Sequence, residues 1–206
     1  AASNGRFKGI AVVPHDISET ELDAMVQGGV VGIRFNLSFP ASPAIGGPGG
    51  ARLLALAQER GLIVQVHYHD EAHLLEAYTI LQNCQAPLVI DHCGRPSLDQ
   101  GPEQAGFQAL LELGRSPNCI IKLSALFRCS KQGWPYRDTD SYVEKLIEAF
   151  SVDRCIWGSD WPFLRAKARI DYGPEVGGLS RWFADPEDRS KVLWKNPSHI
   201  FGFKGA

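Results

Sequence analysis

The sequence predicts an α/β fold, a (β/α)8 TIM barrel that lacks its first two strands, so that six parallel strands remain. Three observations carry this. Short Val/Ile-rich runs alternate strictly with stretches patterned for helix, which puts the strands in parallel order. The runs are apolar almost throughout, as strands covered on both faces must be. They also keep ending in ionisable residues: Arg34, His67 with His69, Asp91 with His92, Lys122 and Asp160. A barrel carries its chemistry at the C-terminal ends of its strands in this way.

The elements follow in order. Phe7 to Val13 is a strand that Pro14 ends, and Ser18-Glu19-Thr20-Glu21 is a capping box for a helix that stops at Gly28-Gly29. Val30 to Phe35 is the second strand. The stretch from Ser38 to Gly50 is rich in Gly, Pro and Ser and predicts a mobile loop over one end of the sheet. A helix from Ala51 to Arg60 leads to the strand Leu62 to His67. A helix from Asp70 to Asn83 leads to the strand Pro87 to Asp91, and one from Glu103 to Leu113 leads to Cys119 to Leu123. After a longer loop, a helix from Ser141 to Phe150 precedes the last strand, Arg154 to Gly158. Two closing helices follow, the second from Asp185 to Ile200.

At 206 residues the chain holds one sizeable core, somewhat short of a complete barrel of about 250 residues. The expected organisation is one barrel domain over 1–206, N-terminally incomplete, in a natural polypeptide that is longer. The 21 basic and 23 acidic residues are mixed along the chain and leave a net charge of −2, with no basic stripe for nucleic acid. No apolar run approaches the ~20 residues that span a bilayer. Five cysteines without C-x-x-C spacing predict reduced thiols in a cytoplasmic protein rather than a disulfide scaffold or a zinc knot.

Alternation along the third strand puts Gln65, His67 and His69 toward the axis and Val64, Val66 and Tyr68 toward the helices. Two imidazoles so spaced can ligate one metal ion or line an anionic pocket; His69 can instead cap the next helix. His92 emerges at the barrel mouth, while Asp91 alternates away from it and is expected to buttress the loop and hold Arg95. Asp160, between a small residue and Trp161-Pro162, suits a general base or a turn. Arg34 and Arg128 suit bidentate capture of a substrate carboxylate, and Lys122 suits an ion pair inside the barrel. His15, His73 and His199 are expected to be structural.

Gly-Ile-Arg34-Phe-Asn36, Ile-Asp91-His92-Cys-Gly-Arg95-Pro, Ile-Lys122-Leu-Ser124, Trp-Gly-Ser-Asp160-Trp-Pro and the terminal Asn196-Pro197 segment together resemble the amidohydrolase-related TIM-barrel hydrolases. The branch they resemble is that of lactonases typified by 2-pyrone-4,6-dicarboxylate lactonase. The resemblance implies water-dependent opening of a small carboxylated or sugar-acid lactone. Asp160 would take the proton from water and His92 would contact the scissile carbonyl. Arg34, Arg128, His67, Asn36 and His69 would hold the substrate. One divalent ion (Zn or Mn), with His67, His92 and Asp160 as candidate ligands, and a reaction without metal both fit the pattern. The chain departs from the family in having no His-x-His strand before Phe7, no further Arg shortly after Arg34, and His67 where a Tyr would be expected. The alternatives are a metal-dependent non-oxidative decarboxylase on the same scaffold and a degenerate barrel that only binds a small molecule.

Overall fold

The computed structural model of the chain describes residues 3–39, 42 and 44–203. Its centre is one sheet of six parallel strands in chain order: β1 (Gly9–Ala11), β2 (Val30–Asn36), β3 (Ile63–His67), β4 (Leu88–Ile90), β5 (Cys119–Ser124) and β6 (Cys155–Gly158). The helices α1 (Glu19–Gln27), α2 (Gly47–Glu59), α3 (Glu71–Gln82), α4 (Ala105–Leu113) and α5 (Asp140–Phe150) connect successive strands. Three short helices follow β6: α6 (Tyr172–Gly177), α7 (Pro186–Ser190) and α8 (Asn196–Phe201).

Each strand is buried on two faces, and the two faces feed separate apolar clusters. Ile33, Phe35, Val64, Val66, Leu88, Ile90, Ile121 and Leu123 point outward and pack with Leu22, Leu53, Leu74, Leu110 and Leu146 of the helices. Ile63, Val89, Ile120 and Ile156 point the other way and form a small axial cluster with Ile10, Ile200 and Phe201. Ile10 of β1 and Ile156 of β6 belong to this one cluster although their strands lie at opposite ends of the sheet order. The sheet is therefore curled, with an inside and an outside. It is not closed, since β1 and β6 pair with one neighbour each. Gly32 permits the tight approach of β1, β2 and β3, because a Cβ there would come within 2.7 Å of Ile10 Cδ1 and of the Ile63 carbonyl.

Several boundaries differ from those the sequence predicts. β1 covers only Gly9–Ala11 and leaves Phe7 75% exposed, because it is an edge strand whose register shifts between Gly9 and Ile10. α2 begins at Gly47, inside the stretch expected to be loop, and Pro48 in its first turn needs no amide partner there. The expected loop from Ser38 to Gly50 falls in part on residues 40, 41 and 43, outside the described residues. α3 is capped by Asp70, whose carboxylate accepts from the Ala72 amide, so His69 is not the cap. The expected helix from Asp185 to Ile200 is interrupted by a wider turn over Lys191–Lys195. Pro197 lacks an amide hydrogen and crowds the preceding turn, which such a widening relieves. The capping box at Ser18 and Glu21 is formed as expected.

α8 is positioned by Asn196, whose side-chain amide donates to the Val152 and Cys155 carbonyls at 2.8 and 2.9 Å. That contact brings Ile200 and Phe201 against the axial cluster and leaves the opposite, C-terminal ends of the strands for chemistry. The cysteines are unpaired, with Cys93, Cys119 and Cys155 buried.

Candidate active site

The axial face of the sheet changes from apolar to polar toward the C-terminal ends of the strands. Arg34 pairs in register with Gln65, which pairs with Val89, two residues before Asp91. Asp91 continues the inward face of β4 and is 2% exposed. Its carboxylate accepts from Lys122 Nζ at 2.6 Å, from Arg34 Nη2 at 2.7 Å, and from Gln65 Nε2 at 3.0 and 3.1 Å. Burial alone would raise its pKa; Lys122, His92 and Arg34 more than offset that and hold it down at about 2. Asp91 thus serves as the ionised hub of the barrel floor. It does not hold Arg95, contrary to the sequence-based expectation, because strand alternation turns its side chain to the axis.

His92 joins the same cluster of side chains by a different route. The backbone turns left-handed at His92 and stays so through Cys93, Gly94 and Arg95. Such a run is costly for non-glycine residues, and it releases His92 from strand alternation so that its ring lies over the strand ends. His92 Nδ1 lies 2.8 Å from Ser124 Oγ, and Nε2 lies 3.5 Å from Asp160 Oδ1. Asp160, itself at φ 59°, accepts at Oδ2 from Arg128 Nε at 2.7 Å. Arg128 Nη2 donates onward to the Leu164 carbonyl at 2.8 Å, which ties the loop after β6 to the site.

His67 ends β3 on the axial face. Its ring meets that of His92 edge to face at 5.2 Å, and its Nε2 lies 2.9 Å from His69 Nε2. Phe39 covers both imidazoles, with ring centroids 6.4 Å from His67 and 5.3 Å from His69. Contacts therefore run without a break from Arg34 through Asp91 and from His67 through His92 and Asp160 to Arg128. Asn36 sits at the end of β2 opposite His67, with its Oδ1 buried and without a partner among the described residues and its backbone N–H donating to Ser42 Oγ. His15 binds the Ala44 carbonyl, and His73 Nδ1 meets Ser38 Oγ, which also accepts from the His69 amide.

The site is electropositive. Burial, then the Arg34 charge, brings His67 down to about 3. Burial brings His92 down to about 4 although Asp91 and Asp160 pull it up. His69 is lowered by burial and by Arg95, Arg128 and Arg165. All three rings are neutral at pH 7. A groove of about 230 Å³ opens between His69, Arg95, Asp99, Arg128 and Lys131. Burial lowers the pKa of Arg95, and its guanidinium makes no ion pair among the described residues. Asp91 as hub, Gln65, Ser124 and Arg95 were not singled out as site residues from sequence. The signal for Ser124 was its even spacing from Lys122 on one strand face.

Three groups can present one ligand atom each within 4.8 Å of one another: His67, Asp91 and His92. They differ from the expected set, in which Asp160 stood in place of Asp91. Asp160 is engaged by Arg128, and a cation at Asp91 would compete with Arg34, Lys122 and Gln65.

The depressed pKa values make stability acid-sensitive, with a definite sign. His67 and His92 bind protons more weakly folded than unfolded, as does Asp91. Their contribution is complete above the unfolded pKa and is lost as pH falls toward the folded one. Between pH 7 and 5 each histidine should remove about 2 kcal/mol of unfolding free energy, given an unfolded pKa near 6.5. Urea unfolding at the two pH values measures this, and His67→Gln should flatten the dependence. A parent protein equally stable at pH 5 and 7 would contradict the burial of neutral imidazoles.

A family model described as amidohydrolase matches residues 1–203. The chain is 30% identical over 211 residues to a 4-sulfomuconolactone hydrolase of Hydrogenophaga intermedia, covering 97% of this chain and 67% of that protein. It is 27% identical over 215 residues to a 2-pyrone-4,6-dicarboxylate hydrolase of Comamonas testosteroni, covering 97% and 68%. Its structure superposes on one assigned as a 2-pyrone-4,6-dicarboxylic acid hydrolase of Pseudomonas putida with a TM-score of 0.86. That match has 27% identity and covers 100% of this chain and 75% of the other. A similar protein of Acinetobacter baumannii, with citric acid bound, aligns at a TM-score of 0.81 and 27% identity over 98% and 75%. The chain belongs to the amidohydrolase family, and its curled six-stranded sheet is part of a TIM barrel.

Proposed function

We propose that this protein is a hydrolase that opens a small anionic lactone by attack of water. The observation that carries the reading is the pairing of a carboxylate, Asp160, with a neutral buried imidazole, His92, at 3.5 Å above a cationic floor. Asp160 takes the proton as water attacks. Nε2–H of His92 donates to the carbonyl oxygen, whose negative charge grows in the tetrahedral intermediate. Arg128 orients the Asp160 carboxylate through the hydrogen bond from its Nε.

Substrate binding falls to the cations around that pair. Arg34 and His67 line the floor, and Arg128, Arg95 and His69 line the groove at the rim. Arg95, partly desolvated and without an ion pair among the described residues, is suited to an anionic group of the substrate. Asn36, with a buried side-chain oxygen that has no partner among the described residues, is suited to a substrate hydroxyl. The names of the similar proteins, hydrolases of a sulfonated and of a dicarboxylated lactone, agree with an anionic ring substrate. No described helix is long and apolar enough to cross a membrane. We place the enzyme in the cytoplasm, with a small molecule rather than nucleic acid as its partner.

Ring opening of a lactone to a carboxylate releases one proton at neutral pH. A panel of carboxylated and sugar-acid lactones, assayed with a pH indicator, should give one proton per turnover and no carbon dioxide. Carbon dioxide release, or a silent panel, would replace the lactonase reading with the decarboxylase or the binding barrel.

A further inference from the structure

Ser124 stands on the axial face of β5, two residues beyond Lys122, and pairs across the sheet with Gly158 of β6. These two β5 residues divide the support of the end of β4 between them. Lys122 holds Asp91 and Ser124 meets His92. Gly158 keeps the strands close around both supports, since a Cβ there would approach Lys122 Cδ to 3.1 Å. Ser124 is 4% exposed, so bulk water does not compete for its hydroxyl.

A neutral imidazole carries one proton, and the partner of one ring nitrogen decides which nitrogen holds it. Nε2 of His92 faces Asp160 Oδ1, and a carboxylate oxygen offers only lone pairs. A bare Nε2 there would set lone pair against lone pair. Nδ1 faces a hydroxyl, which can donate. Resting on the reading of His92 as the donor at the scissile carbonyl, we propose that Ser124 is a positioning residue. Its Oγ–H donates to Nδ1, holds His92 in the tautomer protonated at Nε2, and so aims an N–H at the carbonyl oxygen of the substrate. A proton and a metal ion cannot share Nε2, so the same bond removes His92 from the set of Nε2 metal ligands.

Histidine-selective 15N labelling of the full-length protein tests this at pH 7.5, with the His92 resonances assigned from a His92→Gln spectrum. The parent protein should show His92 protonated at Nε2 and bare at Nδ1. Ser124→Ala should mix the two tautomers and lower kcat about 10- to 100-fold, as loss of an orienting partner does, with KM within about twofold. Ser124→Thr keeps the hydroxyl and should restore both the tautomer and kcat. A parent ring with its proton on Nδ1, with both nitrogens protonated, or with a metal on Nε2 would overturn the proposal. So would a Ser124→Ala protein with the parent tautomer and kcat. If Ser124→Ala does not fold, the parent spectrum and Ser124→Thr decide. If no lactone turns over, the functional reading fails while the parent spectrum still tests Ser124.

Discussion

Asp160→Asn should lower kcat about 10²–10⁴-fold, the usual range for loss of a general base. That corresponds to about 3–5 kcal/mol of transition-state stabilisation. The substitution keeps the size of the side chain and an oxygen for Arg128 Nε, which now lies 2.7 Å from Oδ2. It removes the basic lone pair that takes the proton from water. Folding should be little affected, because Asn still offers an oxygen to Arg128 Nε and Arg128 Nη2 keeps its bond to the Leu164 carbonyl. The KM should change little, since Asp160 acts on water rather than on the substrate. Measuring kcat, KM and urea stability together separates a lost base from a damaged fold. A folded Asp160→Asn enzyme within about tenfold of the parent kcat would remove Asp160 from the mechanism.

Asp91→Ala should have the largest effect on stability, about 3–5 kcal/mol in urea unfolding, because it leaves two partly buried cations and the buried Gln65 without the carboxylate they share. Arg34 Nη2 and Lys122 Nζ both close on this one carboxylate, and Gln65 donates to each of its oxygens. Removing one charge of a buried cluster costs more than the cluster contributes, since the remaining ions were desolvated in its company. Asp91→Ala combined with Lys122→Met should recover part of the loss by removing one orphaned cation. A single variant within about 1 kcal/mol of the parent would show that water reaches Arg34 and Lys122 freely, and that Asp91 is no hub.

Strand and helix positions were legible because their causes are local or nearly so. A run such as Leu62 to Val66 must be covered on both faces, and Ser18 with Glu21 satisfies the start of its own helix. The boundaries that shifted depended on neighbours. β1 is short because it has a partner on one side only, and α8 separates from the preceding turn where Pro197 stands. The candidate chemistry was legible to the extent that residues at strand ends share a rim. Arg34, His67, His92, Arg128 and Asp160 do lie in neighbouring contacts at the strand ends, but their partners could not be read from a strand period.

By itself, the order of residues determined a parallel, helix-covered sheet with ionisable groups at one end, since periodicity and burial act over a few neighbouring positions. Only the tertiary structure decided that Asp91 is the floor rather than a loop brace, that four left-handed residues swing His92 over the strand ends, and that Ser124 reaches its ring. These outcomes depend on backbone turns and on contacts across 26 to 32 positions of chain, distances over which no local pattern carries information.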